Sequence, residues 1–253
     1  MTGSHEDTVR SSFRRQVGLF SGDESLFASR GNPNLAWLEP LHEDSLALEI
    51  ACGAAHVAEE VAPHVRAVVG VDLTRELLAL GGSRLQQAGV TNVVLQEANA
   101  EALPFLDDSF DLVYCRASLH HFADPRRAVD EMARVCRPGG RLALSDLVAP
   151  VPDVRETFDA VHRLLDPSHV RAFVADELPT LFPTGFAVSP GVPATIRLPL
   201  DVVLTEQSDR DRACTMLRAE TEGGAATGLA PAWQDGALTV EFAAVSLQAV
   251  KPA

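Results

Sequence analysis

The chain has 253 residues, 46% hydrophobic and 22% charged, with ordinary amounts of glycine (17) and proline (16). That composition fits a globular fold with a sizeable core and excludes a disordered, collagenous or disulfide-stapled chain. Thirty-five acidic residues against 21 basic ones leave a formal net charge of -14, which repels nucleic-acid backbones and anionic membranes, so neither is an expected partner.

Lys251 is the only lysine, which removes a Schiff-base lysine and a P-loop lysine from the candidate chemistries. Cys52, Cys115, Cys136 and Cys214 are widely spaced, with no CxxC and no signal-like start. A reduced cytoplasm is the expected compartment, with the cysteines as small apolar residues. The longest uncharged run, 178–196, carries Pro179, Pro183, Pro190 and Pro193, so no membrane span is expected there.

Val9, Phe13, Val17 and Phe20 recur at helical spacing and predict a helix over 9–20. Asn32-Pro33-Asn34 marks a turn, and 35–41 predicts a second short helix. Strand-like and helix-like segments then alternate: strand 45–51, helix 54–63, strand 67–71 ending in Asp72, and a helix capped by Thr74 through Gln87, weakened by Gly81-Gly82. Strands follow at 92–96 and 110–115. Asp124-Pro125 opens a helix as N-cap and first helical residue, with Ala128, Val129, Met132, Val135 and Cys136 on one face. Pro138-Gly139-Gly140 stops it, and a fifth strand spans 141–145. Regular alternation predicts a parallel sheet covered on both faces. Beyond it, Val154, Phe158, Val161 and Leu165 trace an amphipathic helix, Asp166-Pro167-Ser168 breaks it, Ser208 with Asp211 reads as a capping box for a helix to 220, and 237–250 reads as a final strand.

The most informative stretch is Leu48-Glu49-Ile50-Ala51-Cys52-Gly53-Ala54-Ala55-His56: a strand, a turn of small residues, then a helix. Small side chains let backbone approach a ligand, and the helix start offers free N–H groups. Asp72 ends the next strand 19 residues after Gly53, where a doubly wound sheet meets ribose hydroxyls. Either feature alone is as readily an ordinary turn or a surface Asp; the spacing of the two favours a nucleoside site. The G-x-G-x-x-G of dinucleotide folds is absent apart from Gly53, and Glu49 would repel a pyrophosphate, which disfavours a nicotinamide oxidoreductase. S-adenosylmethionine, with a sulfonium, an amino group and no phosphate, suits the pattern better.

Leu48-Glu49-Ile50-Ala51-Cys52-Gly53 resembles the first motif of class I S-adenosylmethionine-dependent methyltransferases, and Val71-Asp72-Leu73 resembles the second. Residues 99–105 followed by 109–113 are similar to the third and fourth; 119–125 and 134–141 complete the series. Order and spacing resemble the quinone-biosynthesis subgroup, over roughly 44–147. The resemblance implies a doubly wound, seven-stranded, mostly parallel α/β sheet of Rossmann-like type. It implies an N-terminal helical cap in 1–43, the cofactor-binding core in 44–149, and lid helices with the final strands of the same domain in 150–253. It further implies that Ala51, Cys52 and Gly53 pass under the methionine part of the cofactor, with Glu49 near its amino group. Asp72 takes the ribose hydroxyls, Leu73 packs on adenine, Asn99 and Ala100 meet the adenine edge, and Cys115 and Arg116 line the methionine side. Three positions depart from the family's usual residues: Ala51 and Ala55 stand for Gly, and Asn99 for Asp. Ala55 would crowd the cofactor if its φ were positive, and Asn99 lacks the charge, so weaker cofactor binding is expected.

Methyl transfer requires an in-line nucleophile and exclusion of water, and a base only where a proton must leave. His120 and His121 follow the fourth strand; one is expected to face the pocket, and we assign His120, against the alternative that both are structural. Phe13 or Phe20 would cover the cofactor and Arg14 or Arg15 meet its carboxylate, unless the helix is simply amphipathic with solvated arginines. His169 is a second base candidate or an exposed turn residue. Trp37 and Trp233 read as packing residues. No HExxH, GxSxG or metal-spaced Cys/His cluster occurs, so no metal is expected. The expected function is methyl transfer from S-adenosylmethionine, leaving S-adenosylhomocysteine, to a small-molecule acceptor of apolar or aromatic character. Phe158, Leu164, Phe173, Leu178 and Phe182 are expected to face it. The alternative is a non-methylating S-adenosylmethionine-binding protein on the same fold.

Overall fold

The computed structural model describes residues 5–17, 35–204 and 208–253. Helix α1 (His5–Gln16) precedes strands β1 (Leu46–Ile50), β2 (Ala67–Asp72), β3 (Val93–Glu97), β4 (Phe110–Arg116) and β5 (Cys136–Val148). These strands pair in parallel in the order β3-β2-β1-β4-β5. Helices α2 (His56–Val61), α3 (Arg75–Gln87) and α4 (Pro125–Val135) lie in the crossovers, as parallel neighbours require. The C-terminal part adds α5 (Arg155–Leu165), β6 (Ala187–Val188), β7 (Val192–Pro199), α6 (Leu200–Val203), α7 (Arg210–Thr221), β8 (Ala232–Gln234) and β9 (Ala237–Val250).

Strand β9 runs antiparallel beside β5, and β6 and β7 both pair with its other edge, giving seven positions across the sheet. Strand β8 is an addition: Thr239 pairs with Pro199 of β7 on one side and Ala232 of β8 on the other. Nine strands therefore fill a seven-position sheet. Among the described residues no helix is long and apolar enough to cross a membrane.

Residue alternation assigns the faces. Leu48, Val113, Cys115, Leu142 and Leu144 join the core under α4, with Val129 and Met132. Ala47, Leu112, Tyr114 and Ala143 join the opposite core, with Ala58 and Val61 of α2 and Leu85 of α3. A third cluster packs α5 and α7 on the far end of β9, through Phe158, Leu165, Leu217, Val240 and Phe242. The N-cap of α4 is as expected: Asp124 accepts from the Arg127 N–H and Pro125 is the first helical residue.

Several boundaries differ from the sequence expectation. Helix α1 begins at His5, four residues before its first spaced apolar residue; Phe20 and the 32–34 turn lie outside the described residues. Residues 35–41 form only a single 3-10 turn, Leu35–Trp37. Cys136 is already extended, bridging to Phe110 before a bulge, so α4 stops at Val135, ahead of the Pro-Gly-Gly signal. Asp209, not Ser208, caps α7, because the Ser208 hydroxyl donates to the Leu165 carbonyl. Thr74 occupies the N-cap position of α3 without a side-chain cap bond; its N–H is taken by Asp72 instead.

The two glycines inside α3 have opposite surroundings. A Cβ on Gly81 would lie 3.0 Å from the Ala54 carbonyl and 3.2 Å from the Ala55 methyl, while one on Gly82 would meet nothing within 4 Å. Gly81 lets α3 pack directly on the turn after β1. We expect Gly82→Ala to raise unfolding free energy by roughly 0.5–1 kcal/mol through helix propensity. Gly81→Ala should lower it by roughly 1–3 kcal/mol through overpacking; chemical denaturation of both variants checks the opposite signs.

Candidate active site

A cavity of about 380 Å³ opens where the carboxyl ends of β1, β2 and β4 meet, the usual position for a ligand in an open α/β sheet. Its floor is the turn after β1. Ala51, Gly53 and Ala55 have φ of 54°, 53° and 59°. Left-handed alanine costs roughly 1 kcal/mol or more relative to glycine, so this turn holds its shape against its own sequence. Asp72 helps to hold it: one carboxylate oxygen accepts the Gly53 N–H at 2.9 Å and the other the Thr74 N–H at 2.7 Å. The Ala55 methyl is fully buried in the core beneath α2 and is not on the cavity wall. Its positive φ does not crowd the cavity as expected, because the methyl turns toward Gly81.

Two buried carboxyl groups line this floor, Glu49 and Asp72. Burial pushes the Glu49 pKa up to about 8, opposed in part by the Tyr114 hydroxyl at 3.4 Å. Burial also raises that of Asp72, against the two N–H groups it accepts. Neither forms an ion pair with a Lys, Arg or His side chain among the described residues. Arg116, exposed at the end of β4, lines the same cavity and is likewise without a salt bridge. The floor thus holds two buried carboxyl groups with the Arg116 guanidinium at its rim, none of them in a salt bridge among the described residues.

Leu73, Asn99 and Ala100 line the side wall. The Asn99 amide donates to Glu6 at 2.8 Å and its oxygen accepts the Glu101 N–H at 2.8 Å. Glu6 belongs to α1, which covers the cavity with His5, Val9 and Phe13. Arg10 ties this helix to the Leu73 carbonyl and to Glu97, each at 2.6 Å, and His5 reaches the His121 carbonyl at 2.7 Å. The charge missing at Asn99 is supplied beside it by Glu6; an Asp at 99 would face that carboxylate.

Opposite the floor stand histidines. His120 and His121 lie on a 3-10 turn (Leu119–His121) after β4, and both line the cavity, as does His162 of α5. His120 Nδ1 sits 2.5 Å from Asp146. Asp146 also accepts the N–H groups of Ser118, Leu119 and Leu147. A carboxylate with three donors already aimed at it takes a fourth from the ring, so the proton is assigned to Nδ1 and the lone pair to Nε2. His121 meets the Ser168 hydroxyl at 3.0 Å, and His169 meets Asp159 at 2.7 Å. Burial lowers the pKa of His121 to about 4 and of His169 to about 2, and that of His162 well below the ordinary value.

The methyltransferase domain family matches residues 48–144. The uncharacterized methyltransferase YcgJ of Bacillus subtilis (strain 168) is 45% identical over 136 residues, 53% of this chain and 54% of that protein. Its crystal structure superposes with a TM-score of 0.77 at 30% identity, covering 85% of this chain and 95% of that one. The chain belongs to the S-adenosylmethionine-dependent methyltransferase family. The crystal structure of a Bacillus halodurans C-125 protein, BH2331, gives a TM-score of 0.78 at 26% identity, over 87% of this chain and 97% of that one. A demethylmenaquinone methyltransferase of Listeria welshimeri is 36% identical over 125 residues, 47% of this chain and 52% of that protein. By sequence, the chain spans about half the length of the curated relatives it matches.

Most of the residues singled out in this methyltransferase come together: Glu49, Ala51, Cys52, Gly53, Asp72, Leu73, Asn99, Ala100, Arg116 and His120 all line the one cavity. Cys115 does not. It is one residue out of phase with Arg116's neighbours on the cavity side, and its side chain is buried in the core under α4. Phe20 lies outside the described residues. Phe13 lines the cavity, whereas Arg14 pairs with Glu76 and Arg15 with Ser11, both outside it. His169 is buried behind the wall instead of exposed in a turn. Phe158, Phe173, Leu178 and Phe182 belong to the cores and Leu164 packs against one of them; none reaches the cavity. The apolar wall comes instead from Leu147, Leu165, Ile196, Leu198, Val203 and Phe242. Three of these sit on β7 and α6, whose placement depends on pairing with β9; no local pattern marks them.

The raised Glu49 pKa has a stability consequence. The unfolded carboxyl loses its proton near 4.5 and the folded one near 8, so between those values the unfolded state binds fewer protons and stability falls as pH rises. We expect Glu49→Gln to raise the melting temperature at pH 8–9, with the gain shrinking toward pH 5. Thermal unfolding across that range checks it.

Proposed function

We propose that this chain transfers the methyl group of S-adenosylmethionine to a small apolar or aromatic acceptor. The observation that carries the cofactor assignment is the pair of unpaired buried carboxyls, Glu49 and Asp72, on either side of the Gly53 turn at one cavity floor. In this reading Glu49 takes the amino group and Arg116 the carboxylate of the amino-acid part. Asp72, already oriented by two backbone N–H groups, takes the ribose hydroxyls; Leu73, Ala100 and Asn99 border the base. Ala51 and Cys52 supply backbone close to the sulfonium side. When bound, the cofactor supplies an electrophilic methyl on a positively charged sulfur. Residues 44–149 hold it, while α1 and the 150–253 segment exclude water and form the acceptor wall. Four free cysteines suit a reducing cytoplasm.

The acceptor side is defined by an apolar wall of Leu165, Ile196, Leu198, Val203 and Phe242 facing the His120 ring. A flat apolar molecule fits such a wall, and the demethylmenaquinone methyltransferase relative supports that class. With Nδ1 held by Asp146, His120 keeps a lone pair on Nε2 that can accept the proton of a hydroxyl nucleophile. Asp146 is its positioning residue, stabilising the ring once it is charged.

Calorimetric titration with S-adenosylhomocysteine tests the cofactor assignment. We expect micromolar-range binding by the native chain and at least a tenfold loss in Asp72→Ala; folded native protein that binds nothing overturns the proposal. For the acceptor side, transfer of labelled methyl is screened over aromatic hydroxyl compounds. With an acceptor that must lose a proton, we expect His120→Ala to lower kcat by roughly 10²–10⁴ and Asp146→Asn by a similar order, both with S-adenosylhomocysteine binding unchanged. An unchanged kcat in His120→Ala removes the base from the mechanism.

A further inference from the structure

We propose that His120, His162 and His169 form a binding site for a divalent transition-metal ion of the zinc class, set into the acceptor end of the cavity. One ligand atom from each ring lies within 4.8 Å of the other two, and all three residues are buried. Imidazole nitrogen is the ligand type of zinc, cobalt, nickel and copper, and a set with no carboxylate or water cage does not suit magnesium or calcium. Three histidines also leave a coordination position open, here toward the cavity that His120 and His162 line.

The surroundings of the rings are those of ligands. Asp146 holds His120 at Nδ1 and Asp159 holds His169 at Nε2, the carboxylate–histidine arrangement that fixes ring orientation and raises basicity at the far nitrogen. Asp159 is in turn fixed by the Ala172 N–H at 2.8 Å. The nitrogens left over are His120 Nε2 and His169 Nδ1. His169 Nδ1 and His162 Nδ1 are buried with no hydrogen-bond partner, and buried polar atoms are rarely left so.

One ring must reorient for binding. His162 stacks on His169 at 4.2 Å with 5° between planes, whereas ligands about 2.0–2.1 Å from a tetrahedral ion stand roughly 3.3 Å apart and meet it in their own ring planes. His162, whose Nδ1 has no partner to lose, is the ring that must turn, within the packing of His120, Phe158 and Phe242. No local spacing marks the three residues, because they come from the turn after β4, from α5 and from the loop after α5. An ion on His120 Nε2 removes the lone pair that the proposed base uses, so zinc would inhibit methyl transfer. That clause rests on the proposed function; the binding itself does not.

The test titrates chelator-treated full-length protein with Co²⁺, following visible d–d absorption, then displaces it with Zn²⁺ and counts metal per chain by elemental analysis after gel filtration. We expect one equivalent, with affinity reduced at least tenfold in His162→Phe and in His169→Gln and unchanged in the surface control His64→Gln. Circular dichroism and S-adenosylhomocysteine titration of the same preparations establish that the variants are folded. They also separate the two assignments, since metal uptake without S-adenosylhomocysteine binding keeps the site and overturns the methyltransferase reading. Absence of cobalt absorption in the native protein, or equal uptake by a folded His162→Phe, overturns the metal site.

Discussion

The order in which the parallel strands are laid down creates the cavity. After β1 the chain steps outward to β2 and β3, then returns across the sheet so that β4 pairs with the other edge of β1. Connections leaving β1 and β4 therefore diverge to opposite faces, and their carboxyl ends part to leave a crevice. The Gly53 turn, Asp72, Arg116 and His120 reach that crevice only because of this reversal. Right-handed crossovers leave little freedom in how the helices cover the sheet, so the positions of these groups follow from topology before any side-chain contact is considered.

Placing chemistry in the crevice opposes stability. Glu49, Asp72, Asp146 and five histidines are buried, where apolar residues would pack at lower cost. Two devices offset that cost. Backbone N–H groups satisfy Asp72 and Asp146, and protonation neutralises Glu49, whose pKa burial pushes up to about 8. Burial lowers the pKa of His121, His162 and His169, and rings pack on one another, His162 on His169 and His120 beside His121 at 4.1 Å. The Nδ1 atoms of His162 and His169 are buried without a hydrogen-bond partner, and these, with Glu49, are groups to which a ligand is assigned.

Helix α1 and the C-terminal segment close the crevice by different physics. Helix α1 is held by Arg10 and His5 to the Leu73 and His121 carbonyls and by Ser12 to Asp166, with Phe13 edge-on to His121 at 5.1 Å and Phe13 and Val17 packed against Ala54 and Leu77. The C-terminal segment is held by the third apolar core and by the long β7–β9 and β5–β9 ladders, which suits a rigid wall.

The sequence by itself determined the strand–helix alternation of 45–148, the turn after β1, the acid ending β2 and the cap of α4. Each rests on local physics: short apolar and β-branched runs, small residues at a tight turn, and an Asp-Pro helix start. It also marked His120, because that residue follows a strand end in the crevice. Tertiary structure decided the rest. Cys115 faces the core because strand alternation, not proximity in sequence to Arg116, sets side-chain direction. Ala55 turns its methyl to Gly81 because α3 packs on the turn. Ile196, Leu198 and Phe242 line the cavity only because β7 and β9 pair across more than forty residues. The meeting of His120, His162 and His169 is likewise a product of the chain's return after β5. A pattern read along the chain registers neighbours a few residues apart; side chains brought together by a sheet edge or a docked loop leave no such period.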